Sequence, residues 1–441
     1  MKHLIHVFAL LFFTVVFVSC KKSDNAPAPT PAPVLANVTT ASGVVGGPKN
    51  TVITVKGSNF ITDLSKITIT VNGKVCTILT ATADSITARI PAYCGTGNVV
   101  INLNGTILNG PVFNYVYSYT LTSINTGQVG YQDGPMATAK WNETSGLCVD
   151  TSGNIFTSEW NKPVVRKITA DFLNVSTLAG NTTIGDVNGQ GTNAILSPAD
   201  NISIDANGTI YYADQNNGKV KKIDKLGNVT TFIPASANFS PYTAQIAKSG
   251  NLYVLGQDQS ISKYNAAGVL QWKIKSHNVS GSVDGDSSIV VFNQITFGNA
   301  TIDDTEQYLY FSTYNVFGAP GTPSQIKKIN LSTLITTTIA GVENVAGSTD
   351  GPAATATFKL ITGMAIDKQG GIYISDGHND KIRYLKAGIV STIVGAAGSG
   401  DVDGDLSVAK IDYPDGLVLD KNGNLIVACV ANNKIKRLII D

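Results

Sequence analysis

The sequence predicts an all-β protein, a small β-sandwich followed by a six-bladed β-propeller, and three observations carry the prediction. Strand-length runs rich in Ile, Val, Thr and Tyr alternate with Gly, Asn and Asp clusters; 43 of 441 residues are Gly and only 14% are charged. Six segments repeat one hairpin pattern, with Asp150, Asp205, Asp367 and Asp420 at its turn, and the 270 residues from first to last, spread over five intervals, give a period of about 54. The sixth repeat ends a strand short at Asp441, while residues 119–127 (YTLTSINTG), upstream of the first repeat, carry the missing strand's pattern. Pairing those two segments closes a ring and removes its exposed edges.

At the start, Lys2 and His3 precede a run from Leu4 to Val18 that is apolar except for His6 and Thr14. That is short for a membrane span and the right length for the core of a signal peptide, so residues 1–19 read as an export signal. Ser19-Cys20 follows at once. A small residue before Cys at this place resembles the lipobox of bacterial lipoproteins, with Phe17 and Val18 standing where the family has Leu and Ala or Ser. The resemblance implies that Cys20 is lipidated and that acyl chains attach the protein to a membrane without spanning it; the expected place is the outer membrane of a Gram-negative bacterium, at the cell surface or facing the periplasm. Residues 20–33 are then the lipidated Cys and a Pro-rich tether, KKSDNAPAPTPAP from 21 to 33, spanning up to ~40 Å in polyproline II form.

Residues 34–117 form the sandwich. Strand runs at 51–55, 67–71, 85–90 and 99–103 are joined by turn residues, Asn72-Gly73 being a strong hairpin signal. The segments TVITVKGSNF, ITVNGKV and SITARIPAYCGTGNVVI, closed by FNY at 113–115, resemble the IPT/TIG family, which implies an immunoglobulin-like spacer or interaction domain without chemistry of its own. Cys76 and Cys94 lie here, and spacing leaves open a disulfide or two buried thiols. Cys148 and Cys429 sit inside later strands and read as small core residues, and no Cys or Cys/His metal pattern exists.

Residues 118–441 hold the repeats. The first two strands of each blade are GLCVDTSGNIFTSE (146–159), ISIDANGTIYYAD (202–214), AQIAKSGNLYVLG (244–256), NATIDDTEQYLYFST (299–313), GMAIDKQGGIYISD (363–376) and GLVLDKNGNLIVAC (416–429). A third strand follows as VVRKI, KVKKI, SISKY, QIKKI, KIRYL and KIKRL, and a fourth as VSTLAG, VTTFIP, VLQWKI, ITTTIAG and VSTIVGA in the first five. Between blades runs a second motif, seen as GYQDGPMATAKW (130–141), GSTDGPAATATF (347–358) and related segments, in which Asp-Gly supplies a tight turn and the final apolar residue plugs the gap between blades; Trp141 is therefore a core residue. The hairpins resemble the NHL-repeat propellers. In the third repeat Lys248 replaces the turn Asp, and in the fourth Tyr314–Gln325 is an insertion. The family implies a six-bladed ring but no single activity, since related rings include lyases, lactonases and binding modules.

In such blades the loop between strands two and three and the loop between blades share one face, the expected site. Candidate ligand-binding residues there are Glu159, Asp214 and Asp376, which close second strands; His378 in the next loop; and the loop aromatics Trp160, Tyr314 and Phe317. The residues also fit quieter roles, turn capping for the carboxylates and packing under their own loops for the aromatics. No catalytic residue, metal ligand or cofactor is assigned. Asp401, Asp403 and Asp405 resemble a calcium loop in charge, yet Gly is not at the sixth position and the segment coincides with the inter-blade turn. Without the signal the chain carries 31 basic and 31 acidic side chains and no basic stripe, which excludes nucleic acid as the natural partner. Three functions stay open on the residues: a monomeric, non-catalytic binding module for a polysaccharide, a propeller lyase or hydrolase with an axial site, and an adhesin for a surface protein. The layout of lipobox, IPT/TIG module and ring resembles lipoproteins of outer-membrane polysaccharide uptake, which puts the glycan first.

Overall fold

Alternating burial along short strands builds both halves of the chain. In this computed structural model the residues described are 31–236, 239–277, 281–292, 294–315 and 321–441. The signal segment, Cys20 and Phe317 lie outside them. The chain divides into two compact units, residues 1–116 and 117–441.

The first unit is a two-sheet sandwich. One sheet runs in the order Val34–Thr40, Val52–Ser58, Ser85–Arg89 and Thr77–Ala81; the other runs Gly46–Gly47, Thr106–Tyr115, Gly97–Leu103, Ile67–Val71 and Lys74–Val75. Every second side chain points inward, so Ile53, Val55, Ile69, Val71, Ile86 and Ile101 pack with no exposure. The expected hairpin at Asn72-Gly73 forms, both residues taking positive φ of 48° and 76°. Cys76 and Cys94 stand as free, buried thiols. Burial, and then the neighbouring Cys94, push Cys76 up to about 12.

The second unit is a six-bladed propeller. The inner strands are Thr144–Val149, Ile202–Ile204, Pro241–Ile246, Gln294–Ile302, Ile361–Ile366 and Pro414–Leu419, and each touches the next around the ring, the last touching the first. Closure follows the expected route: Tyr119–Ser123 pairs antiparallel with Lys434–Ile440, placing Leu121 opposite Leu438, and supplies the fourth strand of blade six. Inner strands approach closely because of the repeat glycine. A Cβ on Gly363 would stand 2.0 Å from the Asp415 carbonyl oxygen, and one on Gly416 the same distance from that of Ser145.

The hairpin Asp earns its place by capping. Oδ1 of Asp150 accepts from the backbone N–H groups of Ser152 and Asn154, and Asp205, Asp367 and Asp420 repeat the arrangement. The third repeat needs a correction. Ala247, rather than Lys248, occupies the turn position, since its N–H bonds to Asn251 and its carbonyl receives Gly250, as in the Asp150 turn. Lys248 instead reaches Asp304 on the surface. Trp141 and Phe358 are fully buried between blades, as their motif position requires.

The inter-blade Asp-Gly segment adds a short fifth strand to the outer edge of four blades: Gly134–Pro135, Gly189–Gln190, Gly351–Pro352 and Gly404–Asp405. Blade four has a single bridge of this kind, Gly285 to Thr336. Among the described residues blade three has none, and Leu270–Lys275 ends its sheet.

Candidate functional site

A buried cation organises five of the blades. Arg166, Lys221, Lys327, Arg383 and Lys436, all from third strands, have no exposure. In blade five, Nε and Nη2 of Arg383 donate to Asp350 of the preceding inter-blade turn at 3.0 and 2.6 Å, Nη1 donates to Asp376 at 2.7 Å, and the carbonyls of Thr349 and Thr357 take the remaining donors. Arg166 does the same with Asp133, Glu159 and the carbonyls of Gln132 and Lys140, and lies 4.2 Å from the Trp141 ring centre. Lys221 bonds Asp186 at 2.8 Å with Asp214 at 3.6 Å, while Lys327 uses Asp284 and Lys436 uses Asp401 and Asp403. A desolvated cation is stable only when its donors are met, and here each blade meets them internally.

This corrects the reading of Glu159, Asp214 and Asp376 as ligand-facing groups. All three are fully buried with their oxygens engaged: Asp214 also accepts from Ser197 N–H, and Asp376 from Lys359 N–H and Asn379. Burial pushes Glu159 up to about 7 even against the guanidinium. The calcium-like run has the same use. Asp401 and Asp403 hold Lys434 and Lys436, Asp403 caps Ser123, and Asp405 caps Ser407. Among the described residues, no group of three His, Cys, Asp or Glu side chains could hold a metal ion, and no helix is long and apolar enough to cross a membrane.

The free carboxyls are elsewhere. One register position, the residue just ahead of the repeat glycine or its counterpart, places Ser145, Asp200, Thr362 and Asp415 at the start of their inner strands. Asp200, Thr362 and Asp415 converge with Trp160, Leu360 and Tyr413 on a cavity of about 190 Å³ at one mouth of the ring. Asp200 also lines the axial channel, about 300 Å³, that continues between the inner strands. Its Oδ2 is closed off from solvent and has no hydrogen-bond partner. Burial pushes Asp200 up to about 7. Burial, then the charge of Asp200, raises Asp415 well above the usual carboxylate range. Tyr413 and Tyr242 are each raised to about 12, by burial first, with Asp200 among the charges acting on both.

Two expected residues reach this mouth, and a third does not. Trp160 is half-buried and forms a wall of the cavity, and its backbone N–H donates to the Glu143 carbonyl at 2.9 Å. His378 is exposed on the rim, its ring 5.6 Å from that of Tyr413 and Nδ1 3.1 Å from Thr322 Oγ1. Tyr314 ends a second strand and is 7% exposed, so it is a packing residue beside Tyr242 and not the exposed aromatic expected. Sequence reasoning missed Asp200, Asp415 and Tyr413. For the two acids the signal was positional: a polar residue one step before the repeat glycine or its counterpart, at the start of a strand destined for the ring's inner wall.

Comparison with known proteins supports this architecture. Residues 33–119 match the IPT/TIG domain family. A structural genomics protein of unknown function from Bacteroides thetaiotaomicron superposes with a TM-score of 0.69 at 18% identity, covering 94% of this chain and 99% of that one. Auxiliary nutrient binding proteins from Bacteroides thetaiotaomicron and Bacteroides ovatus superpose with TM-scores of 0.55 and 0.54, at 17% and 16% identity, over 94% of this chain and 99% of each of theirs. Suppressor of quenching 1, a chloroplastic protein of Arabidopsis thaliana, is 27% identical over 328 residues, 71% of this chain. The chain spans only 26% of that relative's length.

Proposed function

We propose that this protein is a non-catalytic ligand-binding lipoprotein, anchored through Cys20 to the outer membrane and facing the cell exterior, that takes a glycan at the axial mouth of its propeller. The observation that carries the reading is the cavity walled by Trp160 and Tyr413 over Asp200 and Asp415. Aromatic faces beside carboxyl groups suit a sugar ring, which presents apolar C–H faces to the rings and hydroxyls to the acids. Two of the proteins with this fold are described as auxiliary nutrient binding proteins, which agrees with an uptake role. The IPT/TIG unit serves as spacer and the Pro-rich segment as tether.

Titration calorimetry against a panel of oligosaccharides tests this. Trp160→Ala abolishes binding of the sugar that the native protein takes, whereas Trp272→Ala, on the outer strand of blade three, leaves it unchanged. Equal loss in both, or in neither, contradicts the assignment. A hydrolase or lyase reading has one observation in its favour, a carboxyl raised to about 7 inside a cleft, which suits general acid catalysis. Turnover of a bound oligosaccharide that disappears in Asp200→Asn would establish it.

A further inference from the structure

Among the described residues, the two acids on the floor of the mouth have no cation beside them. Glu159, Asp214 and Asp376 each have a buried Arg or Lys within 3.6 Å. Asp200 and Asp415 are pressed into the same low-dielectric interior, yet no cation offsets either, and the charge that acts on Asp415 is the other carboxylate. Both acids line the cavity, and Oδ2 of Asp200, closed off from solvent, has no hydrogen-bond partner. Hydroxyl groups of a ligand can donate to such oxygens but leave the charge standing. An alkylammonium brings a full positive charge and three N–H donors, enough to span two carboxylates, and desolvated acids retain a charge only beside such a partner. The ring faces of Trp160 and Tyr413 attract a cation as well. Resting on the glycan reading of the mouth, we propose that the ligand is a sugar bearing a free, protonated amine, with its ammonium held between Asp200 and Asp415 and its ring flanked by Trp160 and Tyr413.

The proposal fixes a sign for pH. Without ligand Asp200 holds its proton up to about pH 7, so seating an ammonium expels it, and affinity rises from about pH 5.5 until the ligand's own amine begins to lose its proton. A neutral sugar that accepts from the protonated acids gives the opposite slope. Tyr212, Tyr242 and Tyr413, which also feel Asp200, stay protonated throughout this range because burial raises all three. On the rim, Asp412 lies against Asp380, burial and then that neighbour raising its carboxyl, and Lys359 stands beside His378. His378 gains charge at acid pH and pushes the slope the same way, so His378→Gln serves as control.

The test is calorimetry of the protein with a tetramer of glucosamine, its N-acetylated form and a glucose tetramer, each in two buffers of different ionisation enthalpy. The expected result is binding of the amine tetramer with proton release, weakened about tenfold or more, ~1.4 kcal/mol, in Asp200→Asn and in Asp415→Asn, with the rising pH slope kept in His378→Gln. The proton release is read on the native protein and decides the matter even if either Asn variant misfolds. A neutral tetramer bound as tightly as the amine, lost in Trp160→Ala but kept in both Asn variants, overturns the inference while the mouth reading survives. If none of the three binds, or binding persists in Trp160→Ala, the mouth reading fails and this inference with it.

Discussion

Two kinds of buried acid distinguish this propeller, and they respond oppositely to mutation. Arg383 neutralises Asp376 and Asp350 with all its donors used, so Arg383→Ala strands a desolvated carboxylate. That costs about 3–5 kcal/mol, the range for breaking a buried pair, read as a lower urea midpoint at unchanged slope; a loss under about 1 kcal/mol would show the pair to be solvated. Asp200 behaves in reverse. Its folded carboxyl titrates near 7, above the ordinary aspartate value, so the folded state binds more protons than the unfolded state between about pH 4 and 7. Its contribution to stability is therefore complete below about pH 4 and is lost as pH rises through 7. Asp200→Asn removes that loss: the variant is more stable than the native protein at pH 8, by up to roughly 4 kcal/mol, and the difference vanishes near pH 4. A variant less stable at pH 8 would mean that Asp200 is held ionised by a partner.

Among the elements, blade three lost its parts together. Ser262 stands where other third strands carry Arg or Lys, Gly256 where blades one, two and five close the second strand with Glu or Asp, and among the described residues no inter-blade Asp-Gly strand covers Leu270–Lys275. A buried cation needs its acids, and the acids need the cation, so losing one removes the reason for the others. Ser262 Oγ is left buried without a partner. The uncovered edge predicts that amides of Leu270–Lys275 exchange faster in hydrogen-exchange mass spectrometry than those of Ile389–Val394, whose outer side is covered by Gly351–Pro352. Equal protection would mean that another segment covers blade three. The strands themselves were legible because the apolar spacing of the hairpin recurs in all six repeats, with the turn Asp at 150, 205, 367 and 420. The ion pairs were not, because a Lys or Arg alternating with apolar residues looks like a solvated strand face; only the register that lays Arg383 under Asp350, 33 residues earlier in the chain, reveals it as interior.

For the whole molecule, closure converts a linear repeat into a site. Leu121 pairs with Leu438 across more than 300 residues of chain, and by fixing the ring this contact sets Asp415 of the last blade beside Asp200 of the second. Removing residues 434–441 takes away both the third strand of blade six and the partner of Tyr119–Ser123. The truncated chain should lose cooperative unfolding of the propeller, seen as a broad calorimetric transition; a sharp transition at the native temperature would contradict the closure. The face carrying the site was legible from loop placement, and Trp160 and His378 were found there. The floor acids were not, because Asp200 and Asp415 are distant in sequence and meet only through the ring.

The most direct measurement is hydrogen exchange of the protein with and without a bound oligosaccharide. The ligand should slow exchange in separate stretches around residues 143–146, 160, 199–201, 360–363 and 413–416, which are neighbours only at the mouth of a closed six-bladed ring. Protection confined to the IPT/TIG unit, or to the outer strands of the blades, would contradict both the site and the function built on it.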